Sequence, residues 1–379
     1  MNRRWICNDV WMDILPCFDR PQLGLKLALL SPRFNALVDK HFDGKSELTI
    51  WREIEIRKHT VTVSASEPKL SVQMDDDKFV EFPLPDDRPL PSKIRFDSIQ
   101  IEYIDHSVIA FLRSNQQIFD KRGTKLHLWI LSTHKSDGKP IWDVFAREIW
   151  PIFSANIRHL CFTCGDHLDN LRRRTSPTIL IDLNQLVSIC SIGLLPAAIG
   201  DDFDGPNSTI SAGQALTKWL HTPRKDDQPK RLSCDDHKEQ ANTDWINIFK
   251  EHFLRANAIS SISYDIRFSV YASLMPIVPF ELVNEWTKEK LTLALAKSEE
   301  KYALNNRWIM KRCKIIGETA AVQQQKKIDE NLDNCNNVAF GLFNCANGKS
   351  CIGPLSPLPE VKEEAGESIT KGPPSADNA

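Results

Sequence analysis

Cysteine and histidine come together once in this chain at a spacing that could support chemistry. Cys161, Cys164 and His167 form a C-x-x-C pair followed by a histidine, the spacing of half a zinc site or of a thiol redox pair. A structural zinc ion normally needs a fourth ligand and often a second C-x-x-C, and none lies at the usual offset. A redox cysteine is expected at a helix N-terminus, whereas Cys161 lies in a run typical of a β-strand. We therefore expect neither a metal nor a redox role for these residues.

Three further motifs suggest binding, but each has a simpler explanation. Gly348-Lys349-Ser350 is similar to the end of a phosphate-binding loop, yet Phe343 stands where that loop requires glycine. The acidic residues 201–205 do not match a calcium-binding loop and are interpreted as a solvated turn. The basic run 172–174 is interpreted as the exposed face of a helix or loop before Pro177. The sequence therefore predicts no catalytic, cofactor-binding or metal-binding residue.

The N-terminal residues place large apolar side chains at helical spacing around one turn. Val10, Ile14 and Phe18 are four residues apart, which puts them on one side of a first helix. Pro21 marks the turn. A second stripe follows at spacings of four and three: Leu23, Leu27, Leu30 and Phe34. The pattern predicts a helix-turn-helix with more apolar surface than so short a unit can bury alone, so this surface must meet the rest of the chain or another protein.

This N-terminal segment resembles an F-box. F-box sequences place an acidic residue shortly after a Leu-Pro opening and end in a Val-x-x-x-Phe/Trp corner; here Asp9 occupies the acidic position, and Leu30 with Phe34 forms the corner. Ile6-Cys7 stands where Leu-Pro is usual, and Trp11 replaces a leucine. The resemblance implies that the adaptor-binding residues are Ile6, Asp9, Val10, Ile14, Phe18, Leu23, Leu30 and Phe34.

Several later segments resemble a nematode group of F-box proteins, so the likeness covers most of residues 1 to about 315. These segments are 104–109, 176–180, 213–220 and 279–282. The resemblance implies the substrate-recognition subunit of an SCF (cullin-RING) ubiquitin ligase. The F-box would dock on the Skp-type adaptor, and through it on the cullin, while the C-terminal domain binds a protein substrate. It implies no cofactor and no catalysis by this chain.

Composition excludes several other classes of protein. Lys and Arg total 48 against 50 Asp and Glu, so with a net charge of −2 no global field draws the chain to nucleic acid or to an anionic membrane. No window approaches the apolar length of a membrane-spanning helix. Asp9 and Asp13 interrupt the N-terminal apolar run, so no secretory signal is expected. The 10 cysteines are scattered, as expected for free thiols in the reducing cytoplasm or nucleus.

Beyond residue 45 the pattern changes to short strands separated by partly helical segments. The expected strands lie at 99–103, 126–130, 160–162, 186–189, 231–234 and 262–264. The clearest of them fit the L-x-x-L-x-L frame of a leucine-rich repeat, which favours an irregular α/β solenoid with an open concave surface. The alternative is a compact α+β domain with parallel β-α-β crossovers.

The fold class predicted from the sequence is therefore α+β or α/β, in four regions. They are a helical F-box-like module at 1–45, a small β region with a proline-rich connector at 46–96, a leucine-rich-repeat-like domain at 97–318 and a disordered polar tail at 319–379.

Three other functions remain open. The N-terminal hairpin could cap the second domain of a scaffold that is not part of a ligase. A cysteine-centred enzyme would be sensitive to thiol alkylation at Cys161 and Cys164. The nematode resemblance also allows a parasite effector that recruits a host ligase.

Overall fold

The fold mixes helices and strands throughout, as predicted. A computed structural model describes residues 6–43, 49–57, 68–73, 79–85, 89–91, 95–120, 123–130, 139–197, 210–235, 244–257, 262–271, 277–296, 305–315, 335–342 and Leu355. The α-helices are α1 (Asn8–Ile14), α2 (Arg20–Gln22), α3 (Ala28–Leu30), α4 (Pro32–His41), α5 (His106–Ser114), α6 (Gln116–Asp120), α7 (Lys139–Val144), α8 (Trp150–Phe153), α9 (Gly165–Arg174), α10 (Ile179–Asp182), α11 (Ala212–His221) and α12 (Asp244–Arg255). The strands are β1 (Thr49–Arg57), β2 (Lys69–Gln73), β3 (Phe79–Pro83), β4 (Arg95–Ile101), β5 (Thr124–Leu128), β6 (Ile157–Phe162), β7 (Ser188–Ile192), β8 (Lys230–Asp235), β9 (Tyr264–Tyr271), β10 (Phe280–Asn284), β11 (Glu289–Leu295), β12 (Asn305–Lys314) and β13 (Asn336–Phe340).

The N-terminal region contains three helical segments within residues 6–43, where the sequence predicted two. A π-type turn, Leu23–Leu27, joins α2 to α3 in one continuous segment that ends at Leu30. Ser31 is extended, and its hydroxyl accepts a hydrogen bond from the amide of Phe34 at 3.3 Å, which begins α4. The prediction that Leu23 and Phe34 share one helix is therefore wrong, because the serine cap and the following proline start a new one.

One sheet unites the strands of the described residues, in the order β10-β11-β12-β9-β8-β7-β6-β5-β13-β4-β1-β2-β3. The central run from β1 to β9 is parallel: β1 pairs with β4, β13 lies between β4 and β5, and β5 to β9 follow in chain order. Antiparallel strands complete both edges. Strands β4 to β9 overlap the six strands predicted between residues 99 and 264, although their bounds differ and β9 shares only Tyr264 with its prediction.

The two faces of the sheet differ in polarity because side chains alternate along each strand. Partners in register on one face are fully buried: Leu126, Leu160, Ile189, Leu232 and Ile266. We call this the apolar face. Helices cover it, since Phe145 contacts Phe340 at 5.2 Å and Trp245 contacts Phe268 at 5.1 Å between ring centroids. Right-handed crossovers between successive neighbouring strands place their helices on one side.

Two predicted region boundaries are wrong. Residues 46–96 do not form a separate small sheet, because β1 pairs in parallel with β4 and so extends the main sheet. Residues 319–379 are not entirely a polar tail, because β13 lies at the middle of the sheet. Its apolar Val338 and Phe340 are fully buried, which explains why this short run joins the core. Leu355 is also packed against the core.

Candidate functional site

The N-terminal helices bury apolar side chains that belong to the same hydrophobic core as the sheet. These side chains are Leu15, Leu23, Leu25, Leu27, Ala28, Leu37, Val38 and Phe42. Trp11 meets Phe34 edge to face at 4.8 Å, joining α1 to α4. The guanidinium of Arg33 donates to the side-chain oxygen of Asn8 at 2.9 and 2.8 Å and to the carbonyl of Ile6 at 2.6 Å. Packing and polar contacts thus fix the start of α1 against α4.

Three of the predicted adaptor-binding residues are exposed apolar side chains near this junction. Leu30 is 64% exposed and lies just before Arg33, while Ile6, whose carbonyl Arg33 binds, is 46% exposed. Val10, in the first turn of α1, is also 46% exposed. Apolar side chains this open are available to a partner. We call Ile6, Val10 and Leu30 the apolar junction.

The structure places the other predicted adaptor-binding residues differently. Phe18 is exposed at the opposite end of α1, and Asp9 is exposed on α1. Ile14 and Phe34 are half-buried, and Phe34 packs against the core. Leu23 is 1% exposed, so it supports the helices through packing and presents no surface. The wide turn at Leu23–Leu27 explains this, since the amide of Ala28 bonds to the carbonyl five residues earlier and shifts the phase of the stripe.

A contact joins the N-terminal helices to the sheet. The ammonium group of Lys26 lies 5.3 Å from the centre of the Phe82 ring, on the outermost strand β3. Helix α2 also contacts β1. The helical region is therefore attached to the edge of the sheet formed by β1, β2 and β3.

The face of the sheet opposite the apolar face carries polar side chains in register. One row contains Lys125, His159, Ser188, Arg231 and Asp265, and the next contains His127, Cys161, Cys190, Ser233 and Arg267. We call these two rows the polar face. The ring contacts between helices and strands all involve the apolar face in the described residues. On the polar face, His159 and Asp265 are buried, whereas Lys125, Cys161 and Arg231 are half-buried, so this face offers a partner partly accessible groups.

Cationic side chains lie near the middle of the polar face. Burial is the main cause that lowers the pKa of His159 to about 3, and nearby Lys125, Arg158 and Arg231 add to the shift. Burial, and then Lys125, lower the pKa of His127 to about 4. Both imidazoles are therefore neutral at pH 7. The positive charge that remains is that of the lysine and the arginines, which suits a partner with acidic groups.

Acidic charge on the polar face lies further along the sheet. Asp265 pairs with Arg267 at 3.4 Å and approaches Lys311 at 3.8 Å. Both cations are about half exposed, so each pair contributes little to stability.

The C-x-x-C-x-x-H motif does not form a metal site. His167 is buried in α9, and its Nε2 donates to the carbonyl of Ile130 at 2.8 Å. Burial lowers the pKa of this imidazole. Cys164 caps α9, whereas Cys161 lies on the polar face with Cys190 as its neighbour in register. In the described part of the chain, no three His, Cys, Asp or Glu side chains are placed to hold a metal ion.

The basic run 172–174 has a structural role at its first residue, contrary to its interpretation as an exposed face. Arg172 is buried and donates to the carbonyls of Pro177 at 3.3 Å and Ile210 at 2.8 Å, and to Asp169 at 3.2 Å. These hydrogen bonds connect α9 to two loops and satisfy the guanidinium, so the arginine is buried although arginines usually face solvent. Two other motifs, 201–205 and Gly348-Lys349-Ser350, lie outside the described residues.

Cys190 is the partner of Cys161 across the sheet and was not predicted from the sequence. The strand repeats carry a signal for it, because Leu160-Cys161-Phe162 and Ile189-Cys190-Ser191 place their cysteines at the same strand position. The C-x-x-C spacing along the chain favours Cys164. Partners across a sheet are set by register instead.

Comparison with known proteins gives no family, since no family model, no curated protein and no solved structure matches this chain. None of the helices in residues the structure describes is long and apolar enough to cross a membrane.

Proposed function

We propose that this chain is the substrate-recognition subunit of an SCF (cullin-RING) ubiquitin ligase. The F-box-like helices dock on the Skp-type adaptor, and through it on the cullin. The observation that carries the proposal is the apolar junction: Ile6, Val10 and Leu30 remain exposed on a helical region whose other leucines are largely buried. Exposed apolar side chains on a well-packed support are typical of a docking surface.

The sheet supports the second half of the proposal, binding of a protein substrate. Successive parallel strands from β5 to β9 with helices on one side are similar to a leucine-rich repeat. The partly accessible polar face is the candidate surface for the substrate. The insertion of β13 between β4 and β5 departs from a simple repeat and makes the array irregular. A broad face with alternating charge and thiol groups suits a polypeptide better than a small molecule.

The proposed role requires no catalytic residue in this chain. A receptor of this kind raises the effective concentration of a substrate lysine near the charged conjugating enzyme, and the thioester chemistry belongs to other subunits. The cytoplasm or nucleus is the corresponding setting for such a ligase.

A second candidate is a scaffold outside any ligase, in which the N-terminal helices cap the sheet. The contacts of Lys26 with Phe82 and of α2 with β1 favour it, because they attach the helices to the sheet edge. The two candidates differ in what the apolar junction does. In a ligase receptor it binds the adaptor, whereas in a capped scaffold its exposure has no such consequence.

A pull-down of the full chain by purified Skp-type adaptor tests the proposal. We expect the wild-type chain to bind and Leu30→Asp to lose binding, since an unpaired carboxylate would be buried at the interface. Leu254→Asp is the matched control, because Leu254 is an exposed leucine, 56% accessible, on the distant α12. Circular dichroism confirms that each variant is folded. Failure of the wild-type chain to bind, or equal binding by a folded Leu30→Asp variant, would reject the adaptor function and leave the scaffold.

A further inference from the structure

Cys161 and Cys190 form a close pair of thiols across two strands. They are direct partners in the parallel register of β6 and β7, and both side chains lie on the polar face. A hydrogen bond links the two thiols. Neither cysteine is in a disulfide, and both are partly accessible to solvent. The sheet thus holds two sulfur atoms side by side where a small reagent can reach them.

The nearer cysteine in sequence, Cys164, has different surroundings. It caps α9, and its sulfur interacts with the backbone of His167 and Asp166. Cys161 instead shares its proton with Cys190. The structure therefore pairs Cys161 with a residue on the next strand, although the C-x-x-C spacing favours Cys164.

The geometry of neighbouring strands is compatible with a disulfide. Partners in register on adjacent strands have Cα atoms separated by about 4.8 Å, within the range of roughly 4.4 to 6.8 Å that disulfides span. Their Cβ atoms must move closer than the strand spacing to reach about 3.8 Å. A bond formed under this constraint is more easily reduced than an unstrained one, which makes it reversible.

We infer that Cys161 and Cys190 are a modification site, at which a peroxide converts the two thiols into a reversible disulfide across β6 and β7. The sulfur of one cysteine attacks one peroxide oxygen, the O–O bond breaks, and an alcohol or water leaves with the proton, giving a sulfenic acid on that cysteine. The sulfur of the other cysteine then attacks the sulfenic sulfur. The S–S bond forms, and the hydroxyl leaves as water with the thiol proton. The two thiols lose two electrons, and the peroxide gains them.

The register of β6 and β7 places the second thiol beside the first. It is therefore close enough to resolve a sulfenic acid before a second oxidation.

Mass spectrometry of the full-length chain after treatment with hydrogen peroxide tests this inference. Remaining thiols are blocked with N-ethylmaleimide, and the protein is digested with trypsin. We expect a cross-linked peptide that joins residues 159–172 to the peptide containing Cys190, lighter by two hydrogens than its parts and lost on reduction with dithiothreitol.

Single serine variants identify the cysteines in this peptide. Cys161→Ser and Cys190→Ser should each lose the cross-link, whereas Cys164→Ser, the matched control in the same tryptic peptide, should retain it. A cross-link that disappears in Cys164→Ser would overturn the inference. So would a disulfide between Cys161 and Cys164, or oxidation of Cys161 and Cys190 to sulfinic acids without any disulfide in the folded wild-type chain.

Discussion

The ammonium group of Lys26 lies over the ring of Phe82, 5.3 Å from its centre, and so ties the N-terminal helices to the outermost strand of the sheet. Replacing Lys26 with glutamine should lower the free energy of unfolding by about 0.5–1 kcal/mol, the usual size of an exposed cation–π contact. Urea denaturation measures the change. Lys225→Gln, at an exposed position between α11 and β8, is the control and should have no effect. Equal effects of the two substitutions would mean that the contact does not stabilise the attachment.

Two leucines of the N-terminal stripe should respond in opposite ways to truncation. Leu23→Ala should cost about 2–5 kcal/mol of stability, because Leu23 is fully buried and its loss leaves a cavity. Leu30→Ala should change stability by less than about 0.5 kcal/mol, because Leu30 is mostly exposed. Thermal unfolding compares them. Adaptor binding by the folded Leu30→Ala chain should nevertheless be weaker than wild type. A large loss of stability from Leu30→Ala would place that residue in the core.

Arg312 and Glu289 form a buried ion pair, with both side chains 1% exposed and contacts of 3.0 and 2.6 Å. Arg312→Met should destabilise the protein by about 3–5 kcal/mol, since it leaves the carboxylate of Glu289 buried without its partner. The double variant Arg312→Met with Glu289→Leu should recover most of this loss, because two apolar side chains need no partner. Chemical denaturation of the three proteins completes the comparison. If the double variant is as unstable as Arg312→Met, then the loss of stability does not come from the unpaired carboxylate of Glu289.

Buried His221 should make the protein sensitive to mild acid. Burial is the main cause that lowers its pKa to about 3, and nearby His252, Arg312 and Lys230 add to the shift. In the unfolded chain this histidine binds a proton near pH 6.5, whereas in the folded chain it stays neutral down to about pH 3. The free energy of unfolding is therefore highest above pH 6.5 and falls as the pH drops towards 3. Between pH 7 and pH 5 the loss is about 2 kcal/mol for this histidine.

Urea denaturation at pH 7 and pH 5 measures that loss. His221→Gln, which cannot titrate, should show a smaller difference between the two pH values, whatever its stability at pH 7. His106, exposed at the start of α5, provides the control substitution His106→Gln. An unchanged pH dependence in His221→Gln would show that other groups cause the acid sensitivity.

Strand β13 should be essential although it lies close to the end of the chain. A chain that stops after residue 334 lacks Val338 and Phe340, which are fully buried between β4 and β5, and should not fold. A chain that stops after Leu355 keeps them and should remain folded. Size-exclusion chromatography and circular dichroism distinguish the two outcomes. A compact, cooperatively unfolding protein ending at residue 334 would mean that β4 and β5 can close the gap themselves.

Sequence periodicity identified the regular parts of this fold. The predicted strand at 160–162 is confirmed within β6, because local apolar spacing determines it. β13 was not predicted, because its apolar run is too short to show the alternation of side chains that distinguishes a strand from a loop. Its pairing depends on β4 and β5, which lie far away in the chain.

The surface was less predictable than the fold. A stripe at helical spacing includes buried Leu23 and exposed Leu30 alike, and only the wide turn and the Ser31 cap separate them. The partner of Cys161 likewise depends on the register of two strands and not on the chain between them. Adaptor binding by the apolar junction stays a prediction.

The central position of β13 also determines when this protein can complete its folding. Asn336 donates its side-chain amide to the carbonyl of Ile118, 218 residues earlier, so the two halves of the parallel array meet only through a very distant part of the chain. Closing so long a loop is slow compared with forming β5 to β9 from local neighbours. During synthesis the nascent chain has an open seam between β4 and β5 until β13 emerges. Because such a seam exposes unpaired backbone and apolar side chains, we expect the chain to depend most on chaperones in the interval before β13 arrives.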